Sequence, residues 1–282
     1  MNKWIAGARP KTLPAAIAPV AVATALAGES WDPVLALLAL LVSLALQVGV
    51  NYANDYSDGV KGTDDNRIGP MRLVASGAAP AHHVKSAAYI ALGIGAVFGL
   101  ILALQTSLWL IAVGALAIAA AWGYTGGKNP YGYFGFGELS VFVFFGLVAT
   151  MGTYYAQTGE LTLDSLLIAI PMGCLSCALL AINNLRDRAA DELVGKRTLA
   201  VRLGDSSARK AFISLLLIAH ISVLFLLRPW TLLTLLLLPM TFSLIKAIRR
   251  GAQGAQLIPL LGKTGKLQLR FAILLSLGLL LS

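Results

Sequence analysis

Long apolar runs constrain this chain more than any other feature. About twenty consecutive apolar residues carry a helix across a bilayer, and nine such stretches are legible, roughly at 13–28, 33–52, 84–104, 107–124, 138–156, 163–182, 210–227, 230–248 and 267–282. The first and last are short, and the first carries Pro14 and Pro19, which are candidates for a kink. Only 12% of the 282 residues are charged and 57% are hydrophobic, against roughly 25% charged in a soluble domain. Composition therefore excludes a disordered chain, a disulfide scaffold and an ordinary cytosolic enzyme. The runs are continuous, whereas barrel strands alternate apolar and polar residues. The expected fold is all-α, a multi-pass integral membrane protein with nine transmembrane helices. Arg9-Pro10-Lys11 leads into the first run without a convincing cleavage site, so a signal peptide is not expected.

Charge then gives topology. With the N-terminus placed inside and the spans alternating, 21 of the 22 Lys and Arg fall in inside segments, and only Arg228 falls outside. Glu29, Asp32, Glu160 and Asp164 lie in the outside turns. The net charge of +9 is thus a positive-inside bias, and no nucleic-acid partner is needed to explain it. Outside turns are short, whereas the inside connections at 53–83 and 183–209 are long. Function is expected on that inside, cytoplasmic face, where the chain spends its polar residues.

Two acidic constellations open those long connections. The first reads Asn51-Tyr-Ala-Asn54-Asp55-Tyr-Ser-Asp58. On a continued helix, Asn54, Asp55 and Asp58 lie at about 300°, 40° and 340° from Asn51, all four within about a 100° arc. The second reads Asn183-Asn184-Leu-Arg186-Asp187-Arg-Ala-Ala-Asp191, with Asn183, Asp187 and Asp191 at i, i+4 and i+8. The pairing suggests a weak internal repeat, with similar helical halves at about 10–156 and 163–282 of one domain, facing each other across a cavity. An Asp at a helix centre in a bilayer costs about 2.5–3.5 kcal/mol, so such residues mark function. Clustered carboxylates want cations, and oxygen ligands without His or thiolate suit Mg²⁺, which prefers one or two carboxylates plus phosphate oxygens. The bland alternative is a pair of solvated, capped helix ends; two matching clusters on one side favour a diphosphate clamp.

Cations suited to a leaving diphosphate surround both clusters: Lys61, Arg67 and Arg72 after the first, and Lys196, Arg197 and Arg202 after the second, with Lys128 ending Tyr124-Thr-Gly-Gly-Lys128. For each of these the positive-inside bias is the rival explanation. Cys174 and Cys177 form an isolated C-x-x-C in an apolar run, read as small residues at a helix interface. His82, His83 and His220 are read as structural. Glu138 opens the fifth span after a Gly-rich turn, and is read either as a carboxylate favouring the positive helix end or as part of the site.

Three strings, N-D-Y-S-D-G-V-K-G-T-D-D-N-R-I-G-P-M-R, Y-T-G-G-K-N-P-Y-G-Y-F-G-F-G-E-L, and N-N-L-R-D-R-A-A-D followed by G-K-R-T-L-A-V-R-L-G, resemble the UbiA superfamily of intramembrane aromatic prenyltransferases. Within it they are most similar to its menaquinone-synthesis branch, as is the opening R-P-K-T-L-P-A-A-I-A-P-V. The resemblance covers nearly the whole chain. It implies nine transmembrane helices around a central cavity under cytoplasmic cap loops, a polyprenyl diphosphate donor, a lateral opening for its lipid tail, and Mg²⁺ held by Asp55, Asp58, Asp187 and Asp191. It implies 1,4-dihydroxy-2-naphthoate as acceptor, with loss of carbon dioxide and diphosphate, in a cytoplasmic (inner) membrane enzyme in contact with lipid. Lys61, Arg67, Arg72, Lys128 and Arg197 are the diphosphate-binding candidates. Asn51, Asn54, Tyr124, Asn183, Asn184 and Arg9 are the substrate-binding candidates, and Tyr154 and Tyr155 are further candidates for the cavity wall. Many superfamily members space the first motif N-x-x-x-D-x-x-x-D, whereas Gly59 follows Asp58 here. The third acidic ligand is then Asp58 itself, or comes from Asp64 or Asp65.

Rival readings are a relative of the same fold acting on 4-hydroxybenzoate or homogentisate, a CDP-alcohol phosphotransferase, and a transporter with midplane carboxylates. The middle string disfavours the first. The second needs D-G-x-x-A-R, whereas Asp58-Gly59 runs on into Val-Lys-Gly-Thr. The third wants its acids nearer the membrane centre.

Overall fold

The computed structural model describes residues 2–64 and 69–282, and every regular element among them is helical. In chain order these are α1 (Lys3–Ala8), α2 (Pro14–Leu26), α3 (Pro33–Val60), α4 (Ala81–Gln105), α5 (Trp109–Gly123), α6 (Gly137–Thr158), α7 (Leu163–Leu193), α8 (Leu199–Leu226), α9 (Pro229–Arg249) and α10 (Leu257–Leu280). Six of them, α3, α4 and α6 to α9, are long and apolar enough to cross a bilayer. α2 and α5 are apolar but shorter, and α10 contains Lys263, Lys266 and Arg270. Ile90, Ile94, Val97, Ile101 and Leu104 of α4 are exposed at helical spacing. In water such an apolar stripe would need a partner; in a bilayer lipid covers it.

Two helices outrun the apolar stretches that predict them, and both carry an acidic constellation. α3 starts where Asp32 accepts hydrogen bonds from the backbone N–H of Val34 (2.7 Å) and Leu35 (3.0 Å), with Pro33 at its first position. That is a strong N-terminal stop. Its 28 residues reach about 42 Å at 1.5 Å per residue, well past a hydrocarbon core of about 30 Å. α7 starts at a capping box between Thr162 and Ser165 and runs 31 residues, so its last turns also stand clear. α8 is broken at Gly204 (φ 75°, ψ 169°), so a short helical turn from Leu199 precedes its main run, and α10 begins at Leu257 rather than near 267.

α7 is the central helix. It packs against α2, α6, α8 and α10, and most of its apolar window is buried, unlike that of any other long helix. Its approach to α6 depends on two glycines: a Cβ on Gly146 would lie 2.6 Å from the Cα of Gly173, a separation no side chain allows. Around this crossing α6 widens to a π-helical stretch, Phe142–Val148, the kind of local expansion found at functional sites.

The connections between helices gather at two ends. At one end Arg228 pairs with Asp164 at 2.7 Å, and Gln157 accepts from the Asp32 backbone at 2.6 Å. Arg228 thus has a counter-charge at that end. At the other end Lys61 donates to the Thr125 carbonyl (2.7 Å), Lys3 to that of Ala78 (2.9 Å), and the Arg197 backbone N–H to that of Tyr133 (3.0 Å). Cys174 and Cys177 are buried free thiols in α7. His220 bonds Thr241 at 2.9 Å, joining α8 to α9.

Candidate active site

The last turns of α3 and α7 face each other across a cavity of about 290 Å³. From α3 come Asn51, Asn54 and Asp58; from α7 come Asn183, Asn184, Asp187 and Asp191. Asn51 donates to the Ala8 carbonyl (2.9 Å) and to Thr12 Oγ1 (3.1 Å). Arg9 returns the contact, its guanidinium donating to the Asn51 carbonyl at 3.2 Å. Arg9 sits between α1 and α2 in the left-handed region (φ 54°), unusual for a non-glycine, and that bend brings its side chain to the cavity wall. Asn54 accepts from Thr125 Oγ1 at 2.8 Å, tying α3 to the Gly-rich connection after α5.

Asp55 stands apart. Its two oxygens accept the backbone N–H groups of Leu73 (2.9 Å) and Val74 (3.0 Å), and the residue is wholly buried. It closes the connection between α3 and α4 and is not part of the cavity lining. The expectation that all four polar residues of the first constellation aim at one place therefore holds for three of them.

Lys196 joins the two constellations. Its ammonium lies 3.2 Å from Asp58 Oδ2 and 3.9 Å from Asp191 Oδ1. Burial disfavours the charged lysine, yet the carboxylates of Asp58 and Asp191 outweigh it, and the Lys196 pKa lies above the ordinary lysine value. Asp58 Oδ1 accepts from the Tyr133 hydroxyl at 2.8 Å. The ring of Tyr133 carries two cations, Lys61 at 4.9 Å and Lys196 at 5.1 Å from its centre, both within cation–π range. Burial raises the phenol's pKa, and the Asp58 carboxylate raises it further, so the hydroxyl stays a donor. Lys61 is shifted the other way, lowered first by burial and then by Lys196, with Asp58 opposing. On α7, Arg186 holds its neighbour Asp187 through two bonds of 2.7 Å, a fork that fixes the carboxylate plane.

Of the basic residues expected at a diphosphate, Arg72 lines the cavity 3.1 Å from Asp64, and its Nη1 is buried without a hydrogen-bond partner among the described residues. Lys61 reaches the rim through Thr125 and Tyr133. Lys128 and Arg197 are exposed and outside the lining, and the backbone N–H of Arg197 bonds the Tyr133 carbonyl. Arg67 and Asp65 lie outside the described residues. Tyr124 lines the cavity, whereas Tyr154 and Tyr155 do not. Sequence reasoning missed Tyr133, Arg186, Tyr131, Phe144 and Phe145, and left Lys196 out of its diphosphate set. The string Y-G-Y-F between two glycine-rich turns was the available signal for Tyr133.

Among the described residues no three His, Cys, Asp or Glu groups converge into a self-sufficient metal cluster. Mg²⁺ does not need one, since it prefers one or two carboxylates with phosphate oxygens from the substrate. Asp58, Asp187 and Asp191 present carboxylate oxygens from both walls, and the ammonium of Lys196 sits between two of them. That chemistry fits a magnesium ion bridged to a diphosphate.

Away from this charged end the cavity is apolar. It runs between α5, through Leu110, Val113 and Ala117, and α6, through Phe144, Val148 and Gly152. α5 packs mainly on α3 and α4 and has no buried residue, so the seam between α5 and α6 is sparsely packed. Tyr131 bridges it near the charged end, bonding Ala120 O and Ser140 Oγ, both at 2.8 Å.

Residues 16–256 match the sequence profile of the UbiA prenyltransferase family. The chain is 50% identical over 275 residues to the 1,4-dihydroxy-2-naphthoate octaprenyltransferase of Mycobacterium tuberculosis, covering 96% of this chain and 94% of that protein. It is 39% identical over 293 residues to the enzyme of that name from Escherichia coli, covering 99% and 95%. In fold it is similar to a UbiA homologue from Archaeoglobus fulgidus bound to GPP and Mg²⁺, with a TM-score of 0.66 at 15% identity over 98% of this chain and 100% of that one.

Proposed function

The chain belongs to the UbiA prenyltransferase family, and from that premise we propose that it transfers a polyprenyl group from polyprenyl diphosphate to 1,4-dihydroxy-2-naphthoate. Carbon dioxide and diphosphate are lost, and the product is the reduced form of demethylmenaquinone, a step of menaquinone biosynthesis. The observation that carries this reading is a single cavity with two chemistries. One end gathers Asp58, Asp187, Asp191, Lys196 and Arg72, and the rest is an apolar channel along a sparsely packed seam between two helices. A diphosphate with a long hydrocarbon tail needs both, and the α5–α6 seam suits the lateral opening through which the tail meets lipid.

Arg72 and Lys196 hold the diphosphate as negative charge grows on it, the moment at which preorganised cations contribute most. Asp58, Asp187 and Asp191 are the magnesium ligands of this reading, with Asn54 beside them. When bound, Mg²⁺ neutralises the leaving group's charge. Asp55 acts at one remove, by holding the connection that bears Arg72. Tyr124, Tyr131, Phe144 and Phe145 offer ring faces to the allylic cation, and the apolar channel keeps water from it. The carboxyl-bearing ring carbon forms the new C–C bond, and its bond to the carboxylate then breaks to release carbon dioxide and restore aromaticity. The whole chain is one such domain, with nine membrane-crossing helices, a cytoplasmic N-terminus and the charged end toward the cytoplasm.

The test is a product mass from purified protein given one polyprenyl diphosphate, Mg²⁺ and each of two aromatic acids. A prenylated naphthoquinol without its carboxyl group, formed only with Mg²⁺, is expected. Comparable turnover of 4-hydroxybenzoate, or full activity in excess chelator, would overturn the assignment.

A further inference from the structure

Glu138 is left without a task by the mechanism above. It lies in the first turn of α6, and its Oε1 accepts from Asn184 Nδ2 at 2.9 Å. Its Oε2 is buried with no hydrogen-bond partner among the described residues. A carboxylate placed this way is costly and does not serve the helix alone.

Its effect falls on Asn184, which lines the cavity. A carboxylate can only accept, so it selects the amide nitrogen of Asn184 and leaves Oδ1 as the outward, accepting atom. No described donor takes that oxygen. The Tyr124 hydroxyl comes to the start of the same helix as Glu138: a Cβ on Gly137, the residue before it, would lie 3.1 Å from that hydroxyl. Tyr124 also lines the cavity. Asn184 is three residues before Asp187, about 4.5 Å deeper along α7. A ring seated there lies next to the diphosphate end without competing for its cations.

We propose that Glu138 is a positioning residue for the aromatic acceptor, fixing the Asn184 carboxamide so that its Oδ1 accepts a ring hydroxyl. The inference rests on the reading of function above and names the contact that selects its acceptor. In 1,4-dihydroxy-2-naphthoate the 1-hydroxyl is engaged by the adjacent carboxylate, so the hydroxyl free to donate is that at position 4. That hydroxyl is meta to the carbon that reacts, so an acceptor lacking it, 1-hydroxy-2-naphthoate, keeps its ortho-activated carbon. Leaving a buried acceptor atom unpaired costs about five- to hundredfold in binding, and a site shaped around a hydroxyl rejects the analogue without it.

The experiment compares kcat/KM for the two acids in the wild type, Glu138→Gln and Asn184→Ala, with KM for the prenyl diphosphate measured alongside. Intrinsic reactivity cancels when preferences are compared between enzymes. The carboxamide introduced by Glu138→Gln both donates and accepts, so it no longer dictates the orientation of Asn184. The preference for the dihydroxy acid is expected to fall about tenfold in Glu138→Gln and as far or further in Asn184→Ala, with donor KM within twofold. Adding Glu138→Gln to Asn184→Ala should change the preference no further. An unchanged preference in either single variant overturns the inference, and Asn184→Ala decides alone should Glu138→Gln not fold. A wild type that turns over neither naphthoate overturns instead the reading of function.

Discussion

Asp55 and Asp58 are three residues apart on one helix, and the structure assigns them different work. Replacing each by Asn separates the two. In Asp55→Asn one side-chain oxygen remains to accept one backbone N–H, while the amide NH₂ confronts the other. The loss is one charge-assisted hydrogen bond, about 1.5–3 kcal/mol, plus one buried unpaired N–H, about 1–3 kcal/mol. Together that is roughly 2.5–6 kcal/mol taken from the anchoring of Leu73 and Val74. Leu73 is buried among Tyr52, Ala53, Ala79, Val84 and Ala88, so the connection keeps an apolar anchor and opens without the helices coming apart. Opening that much easier should raise the hydrogen-exchange rates of the Leu73 and Val74 amides by about 10²-fold or more in detergent-solubilised protein. Asp58→Asn weakens the contacts to Lys196 and Tyr133 instead, and should leave those two amides protected while abolishing turnover. Turnover should also fall in Asp55→Asn, because Arg72 precedes the released pair. Unchanged exchange at Leu73 and Val74 in Asp55→Asn, with activity as low as in Asp58→Asn, would refute the reasoning and put the Asp55 carboxylate in the cavity.

Two further outcomes are expected. Tyr133→Phe keeps the ring that carries Lys61 and Lys196 but frees Asp58 Oδ1; the Mg²⁺ concentration for half-maximal activity should rise several-fold with a smaller change in kcat, and an unmoved magnesium requirement would remove Tyr133 from the site. Single cysteines at Gly62 and Gly195 should be shielded from an impermeant thiol reagent in intact cells while one at Gly159 reacts, and the reverse pattern would invert the topology.

The acidic pair of helix ends was legible because its signals are local. A bilayer demands long apolar runs, the charge bias orders the turns between them, and helical periodicity places Asp187 and Asp191 on one face whatever surrounds them. Asp32 with Pro33, and Thr162 with Ser165, mark helix starts within a few residues of chain. The same periodicity could not separate Asp55 from Asp58. It puts both on one arc, but Asp55 sits at its edge, and whether cavity or connecting loop covers that edge depends on where residues 73 and 74 return. Lys196 and Tyr133 were hidden for a similar reason. Each reads alone as an inside cation or a loop aromatic, and Asp58 meets them from chain separations of 138 and 75 residues. Local pattern is thus enough to dictate the membrane fold and the two acidic helix ends. The packing of α3 against its neighbours, with three connections closing over one cavity, selects which of those carboxylates face a substrate and which cations they meet, because contacts between distant segments have no signature within either segment.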